Sequence, residues 1–211
     1  MAASTPLEIV PATASDIAAL VDAHQRFMRN YYSARLGGYY LRHFFWPILL
    51  DEPGTNVFIA RESDAVAGFV ICTRETDRLR SRLLAGAGIV GNALLLWRSL
   101  TDPLVMRSSL GNILNLLKPR DTLLPSAELF LIGVDECCRG KGIGRRLMEA
   151  MDVWFRKVGE DTCFLRVRAD NASAIRLYET MAFERSREVT EMGERWLLMA
   201  KRYDSTKSVS P

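Results

Sequence analysis

The residues of this chain best suited to chemistry are the run Arg139-Gly140-Lys141-Gly142-Ile143-Gly144, which is built to hold an anion. Three glycines in a turn let the backbone come close to a ligand. A helix beginning at the same place adds unpaired N–H groups and the positive end of its dipole. Arg139, Lys141, Arg145 and Arg146 put formal positive charge around the spot, so the implied ligand is a phosphate. A dinucleotide in a Rossmann fold is one candidate, but it calls for an acidic residue about twenty positions on, at the end of the following strand. Arg166 and Arg168 occupy that neighbourhood instead. The vicinal pair Cys137-Cys138 is not a CxxC motif, and with only His24 and His43 the chain shows no metal-ligand spacing, so no metal site is expected. No histidine stands near the pair in sequence, and a covalent thiol mechanism is not expected either.

The elements that must position this loop can be read from periodicity. Ala127 to Val134 reads as an apolar strand ahead of it. Behind it Ile143, Leu147, Met151, Trp154 and Val158 recur at steps of three and four, one face of a helix that Gly159 ends. Thr162 to Val167 reads as a strand in which Arg interrupts Cys, Phe, Leu and Val, and 171–181 as a short helix. Arg187 to Thr190 and Arg195 to Ala200 form two last strands around Met192-Gly193.

Upstream, Leu7 to Val10 is a first strand, and Thr13 with Asp16 starts a helix reaching about Arg29. A second helical stretch covers Tyr39 to Leu50. Val57 to Ala60 and Val66 to Cys72 read as a strand pair around the turn Glu62-Ser63-Asp64-Ala65. The stretch 77–126 differs from the rest. After the basic Arg78-Leu79-Arg80-Ser81-Arg82, Leu83 to Trp97 carries no charge, and a second apolar helix follows over Leu104 to Leu117. Neither reaches the roughly twenty apolar residues of a bilayer span. The expectation is that these helices pack on the core and wall a substrate cleft. Contact of 83–117 with a membrane or a partner is the other reading.

Composition narrows the class. With 28 Lys and Arg against 25 Asp and Glu the net charge is +3, and the basic residues are spread along the chain, so no nucleic-acid partner is expected. Met1 to Pro11 shows no basic segment followed by an apolar stretch, hence no secretory signal. Four cysteines are expected as reduced thiols in a cytoplasmic protein.

A strand, a basic glycine loop, a helix and a second strand are followed by Asn171-x-x-Ala174-x-x-x-Tyr178-x-x-x-x-Phe183. This order resembles the GCN5-related N-acetyltransferases (GNAT). Arg139, Gly142 and Gly144 fill that family's loop pattern; its usual glycine before the last Phe is Ala182 here. The resemblance covers 127–189 closely and the first half more loosely. It implies an α/β fold (a mixed α+β sheet flanked by helices) with a helical insertion between the third and fourth strands. It also implies one domain over 1–204, with the insertion at about 77–126, a cofactor core at about 127–189 and a flexible tail at 205–211.

The function implied by the resemblance is direct transfer of an acetyl group from acetyl-CoA to a primary amine. Ile132, Gly133 and Val134 would pair with the pantetheine arm. Arg139, Gly140, Lys141, Gly142, Ile143 and Gly144 would hold the pyrophosphate, with Lys141, Arg145 or Arg146 reaching a further phosphate. Tyr178 takes the position of the acid that protonates the leaving thiolate, against a packing role. Glu128 takes the position of a catalytic base, against a salt bridge on the sheet. Asn171 orients the cofactor, against a plain helix cap. Tyr31, Arg35 and Tyr39, within the cluster Tyr31 to Tyr40, are the acceptor-side candidates, against a helix-packing seam. The acceptor expected is a small molecule such as an amino sugar, amino acid or polyamine. A protein α-amine or lysine is the alternative, and a non-catalytic CoA-binding or partner-binding module a third reading. A monomer or homodimer is expected.

Overall fold

A nine-residue run with one polar side chain at its end, Ala65 to Thr73, must be buried on both faces if it forms a strand. In the computed structural model it is β3 (Ala65–Thr73), buried from Val66 onward. The structure describes residues 7–29, 31–62, 65–86, 88–117, 124–191 and 194–203. The turns at Ser63-Asp64 and Met192-Gly193 and the tail at 205–211 lie outside the described residues.

β3 belongs to a seven-stranded sheet of order β1-β2-β3-β4-β5-β7-β6, with β1 Glu8–Pro11, β2 Thr55–Glu62, β4 Glu128–Val134, β5 Thr162–Arg168, β6 Glu184–Glu191 and β7 Glu194–Arg202. Every neighbouring pair is antiparallel except β4 and β5, so the sheet is mixed. The β4–β5 pair is the feature that matters for function. Across from β3, Ile71 pairs with Leu131 and Cys72 with Leu129, which leaves Phe130 as an extra residue in β4. Such a bulge bends its strand. Pairing with β5 holds only at Glu128 and Leu129, and beyond the bulge the two strands part.

Each sheet face carries its own core. On one, α8 (Ile143–Lys157) and α9 (Ala172–Thr180) bury Leu147, Met148, Met151, Phe155 and Ile175. On the other, α1 (Ile17–Phe27) and α4 (Trp46–Asp51) bury Leu20, Phe27, Trp46 and Leu49. Thr13 and Asp16 start α1 as read: the Asp16 carboxylate accepts from both the backbone and the hydroxyl of Thr13. The stretch expected as one helix over 39–50 is compound, with α3 (Gly38–Tyr40), a π-helical turn at Leu41–Phe45, and then α4. Pro47 cannot donate to the carbonyl four residues back, and the chain relieves that defect with a wider turn. Ala182 adopts φ 63° after α9, a left-handed conformation that costs a residue with a Cβ roughly 1 kcal/mol and explains why glycine suits the position.

His24 on α1 is fully buried. Its Nε2 meets the Ser33 hydroxyl at 2.8 Å, and its ring lies among Phe45, Trp46 and Phe69. Burial alone lowers its pKa from 6.5 to about 3. The unfolded chain therefore binds a proton here that the folded chain refuses. Stability from this site is complete above pH 6.5 and falls as pH drops toward 3, by up to about 1.4 kcal/mol per unit. Denaturant melts between pH 7 and 5 should show this slope, and His24→Gln should flatten it.

The insertion departs from expectation. It forms three helices, α5 (Thr76–Ala85), α6 (Gly88–Thr101) and α7 (Pro103–Leu117), so the uncharged run Leu83–Trp97 is split between two of them. α5 packs as foreseen, through the buried Leu79. α6 and α7 form a hairpin attached by Gly91, Val105 and the half-buried Leu95, while Ile89, Leu96, Trp97 and Leu100 face outward. Among the described residues no single helix is long and apolar enough to cross a membrane.

Candidate active site

The divergence of β4 and β5 opens a cleft of about 610 Å³. One wall is β4 from Leu129 to Val134, and the other is Arg166, Val167 and Arg168 of β5. Backbone groups of Ile132, Gly133 and Val134 on the β5 side meet no strand there, since the ladder stops at Leu129. They can accept an extended ligand as an added strand would be accepted.

The glycine loop closes one end, with Arg139, Gly140, Gly142, Ile143, Gly144 and Arg145 all lining the cleft. Gly140 (φ 78°) and Gly142 (φ 77°) take left-handed conformations, with no atom within 4 Å of where a Cβ would stand. Glycine serves at both for conformation and access rather than for packing. Gly142 is also the N-cap of α8 and has no side chain to satisfy the first amides of that helix, which stay available to an anion. Gly144 differs from both: a Cβ there would stand 3.1 Å from Leu177 Cδ2, so it lets α8 approach α9.

Of the flanking cations, Arg139 and Arg145 line the cleft and Lys141 does not. Arg145 Nε lies 3.1 Å from Glu149 on α8. Arg146 turns away to donate to the Leu7 carbonyl at 2.9 Å.

Tyr178 comes from α9, reaches the cleft wall and is only 5% exposed. Burial first, and Tyr31 second, push its pKa above that of an ordinary phenol, so its hydroxyl stays protonated. Tyr31 lines the same cleft, which places one of the three acceptor-side candidates opposite the expected acid. Asn171 lines the cleft too, while its Oδ1 accepts from the Ala174 amide at 3.2 Å and caps α9.

The other candidates are elsewhere. Arg35 pairs with Asp102 at 2.9 Å, and the neighbouring Tyr32 hydroxyl lies 3.1 Å from that of Ser109. Tyr39 is 55% exposed and packs on His43 and Phe44. Tyr32 and Arg35 of the Tyr31–Tyr40 cluster thus anchor the helical hairpin. Glu128 is 3% exposed and absent from the cleft wall, with both carboxylate oxygens 3.2 Å from Arg80 and one 3.8 Å from Arg166 Nε. Burial raises its pKa, and Arg80 and then Arg166 oppose that rise. No described residue of the insertion lines the cleft, contrary to the expected wall.

Phe27, Met28, Arg166, Arg168 and Trp196 line the cleft without having been foreseen as site residues. The signal for the two arginines was the alternation of β5, which sets Arg166 and Arg168 on one face. Arg168 is held by Asp170 at 2.8 Å and Glu194 at 3.3 Å. Among the described residues the cleft wall has no Asp, Glu or His.

Residues 115–183 match the family model for the acetyltransferase (GNAT) family. The ribosomal protein bS18-alanine N-acetyltransferase of Escherichia coli (strain K12) is 44% identical over 61 residues, which is 29% of this chain and 41% of that protein. The mycothiol acetyltransferase of Thermobispora bispora is 41% identical over 61 residues, 29% of this chain and 21% of that protein. The match thus spans well under half of either relative. In overall fold the chain is similar to the PaiA N-acetyltransferase from Thermoplasma acidophilum, crystallised in complex with coenzyme A. The TM-score is 0.56 at 15% identity, covering 94% of this chain and all of that one.

Proposed function

Because the chain carries an acetyltransferase domain of the GNAT family, we infer that it transfers an acetyl group from acetyl-CoA directly to the α-amine of a peptide or protein. The observation that carries the choice of acceptor is the absence of Asp, Glu and His from the described cleft wall. Among its described residues such a site offers no carboxylate or imidazole to strip a proton from a strongly basic amine. An α-amine, with a pKa of about 7.7–8.0, is substantially neutral at pH 7.5, whereas a lysine amine near 10.4 is about 99.9% charged. Arg166 and Arg168 at the wall add positive potential, which further favours a neutral amine. The described residues of the insertion also stay off the cleft wall, which leaves room for a chain end to enter. This displaces the small-molecule acceptor from first place.

Acetyl-CoA fits the cleft, whose unpaired β4 edge suits an amide-bearing arm and whose glycine loop suits a pyrophosphate. When bound it supplies an activated acetyl thioester. Ile132, Gly133 and Val134 hold the arm, and the amides from Arg139 to Gly144, with Arg145, hold the phosphates. Tyr178 keeps its proton by burial and donates it where the thiolate departs. Asn171 fixes the start of α9 and hence the height of Tyr178. Glu128 is a positioning residue in this reading: clasped by Arg80, it sets Arg166 at the wall instead of taking the proton.

A thiol-release assay with acetyl-CoA tests the acceptor class. Peptides with a free N-terminus should exceed N-blocked lysine peptides and polyamines in kcat/KM by at least about tenfold, following the neutral fractions above. Turnover confined to small amines would overturn the acceptor assignment.

A further inference from the structure

We propose that the α6–α7 hairpin is a docking surface for an anionic lipid bilayer, lying in the plane of its headgroups. Ile89, Val90, Leu96, Trp97 and Leu100 of α6 are 58–90% exposed. At 100° per residue they fall within an arc of about 120°, a continuous apolar stripe on the side opposite the attachment at Gly91. On α7, Leu104, Met106 and Leu110 are 46–54% exposed and extend it. An uncovered apolar surface of this extent marks an interaction site.

The charges select the occupant. Residues 88–117 contain Arg98 and Arg107 and a single acid, Asp102, which Arg35 neutralises at 2.9 Å. Lys118 and Arg120, with one acid, Asp121, follow directly in the sequence. Apolar residues, an exposed tryptophan and an excess of cations over acids suit a helix that beds in an anionic interface. A second copy of the chain is disfavoured, because the hairpin would bring Arg98 and Arg107 of two copies together while its acid, Asp102, is engaged by Arg35. With fourteen residues α6 is about 21 Å long, too short to span, which agrees with an in-plane arrangement. α7 touches α2 (Tyr32–Arg35), which begins one residue after Tyr31 of the cleft, so docking would hold the cleft beside the bilayer. The proposal does not depend on which amine is acetylated, nor on acetyl transfer.

The test is flotation of the full chain with vesicles of phosphatidylcholine alone or with roughly 30 mol% phosphatidylglycerol. The chain should float with the anionic vesicles, shift its tryptophan emission to the blue, and lose both effects in Trp97→Phe for the shift and at high salt for the binding. The triple variant Ile89→Glu, Leu96→Glu, Leu100→Glu should bind at least about tenfold less while its circular dichroism and its acetyl-CoA affinity stay unchanged. Should that variant misfold, Arg98→Glu with Arg107→Glu gives the same reading from the charged side. No flotation of the folded chain, flotation indifferent to these substitutions, or a concentration-dependent dimer that the triple variant abolishes without any vesicle binding would each overturn the proposal.

Discussion

Tyr178→Phe should lower kcat for acetyl transfer by about 100-fold while the KM for acetyl-CoA changes by less than about twofold. The substitution removes one oxygen and leaves the ring in its contact with Phe183 at 6.1 Å, so packing is preserved. What disappears is a proton held at the cleft by burial. That raised pKa also sets the pH profile. The neutral acid form persists beyond the ordinary phenol range, so the rate should climb as the acceptor amine deprotonates. It should show no alkaline decline below pH ~10. Undiminished turnover in Tyr178→Phe would return the residue to a packing role.

Gly142→Val should raise the KM for acetyl-CoA at least about tenfold, with kcat at saturation much less affected. A β-branched residue at φ 77° is strained, and its side chain would stand over the amides at the start of α8. Gly142→Asn separates the two causes. Asparagine tolerates left-handed backbone, so whatever rise in KM it keeps reports coverage of the anion site and not distortion of the loop. Initial rates against acetyl-CoA concentration decide both, and an unchanged KM in Gly142→Val removes the loop from phosphate binding.

The glycine-loop end of the cleft was legible in the sequence because its requirements are local. A left-handed turn calls for glycine, a helix start needs no distant partner, and the period of Ile143, Leu147 and Met151 appears wherever that helix packs. The opening between β4 and β5 was legible only through the family resemblance. The bulge at Phe130 that produces it leaves no mark in an apolar run.

Glu128 shows where such reading stops. Its place in the strand suited a base, yet its role depends on Arg80, forty-eight positions away on an inserted helix. Arg35 and Tyr39 have the side chains of a substrate site, but one is claimed by Asp102 and the other by neighbouring rings. Arg166 and Arg168 went the opposite way. They stand where a Rossmann site wants an acid, which argued against that fold, and the alternation of β5 placed them on the cleft wall. The hairpin's apolar residues suggested burial by composition, whereas burial also needs a surface to meet. The described structure supplies one at Gly91, Leu95, Val105 and Gly111, and none to the outward face of α6.

The most direct test of the central claim is calorimetric titration of the folded full chain with acetyl-CoA in the absence of any acceptor, with Gly142→Val run beside it. The account predicts micromolar binding at one site, weakened at least about tenfold in the variant. No heat at millimolar acetyl-CoA from a chain shown to be folded would contradict it, because the splayed strands and glycine loop would then hold no cofactor.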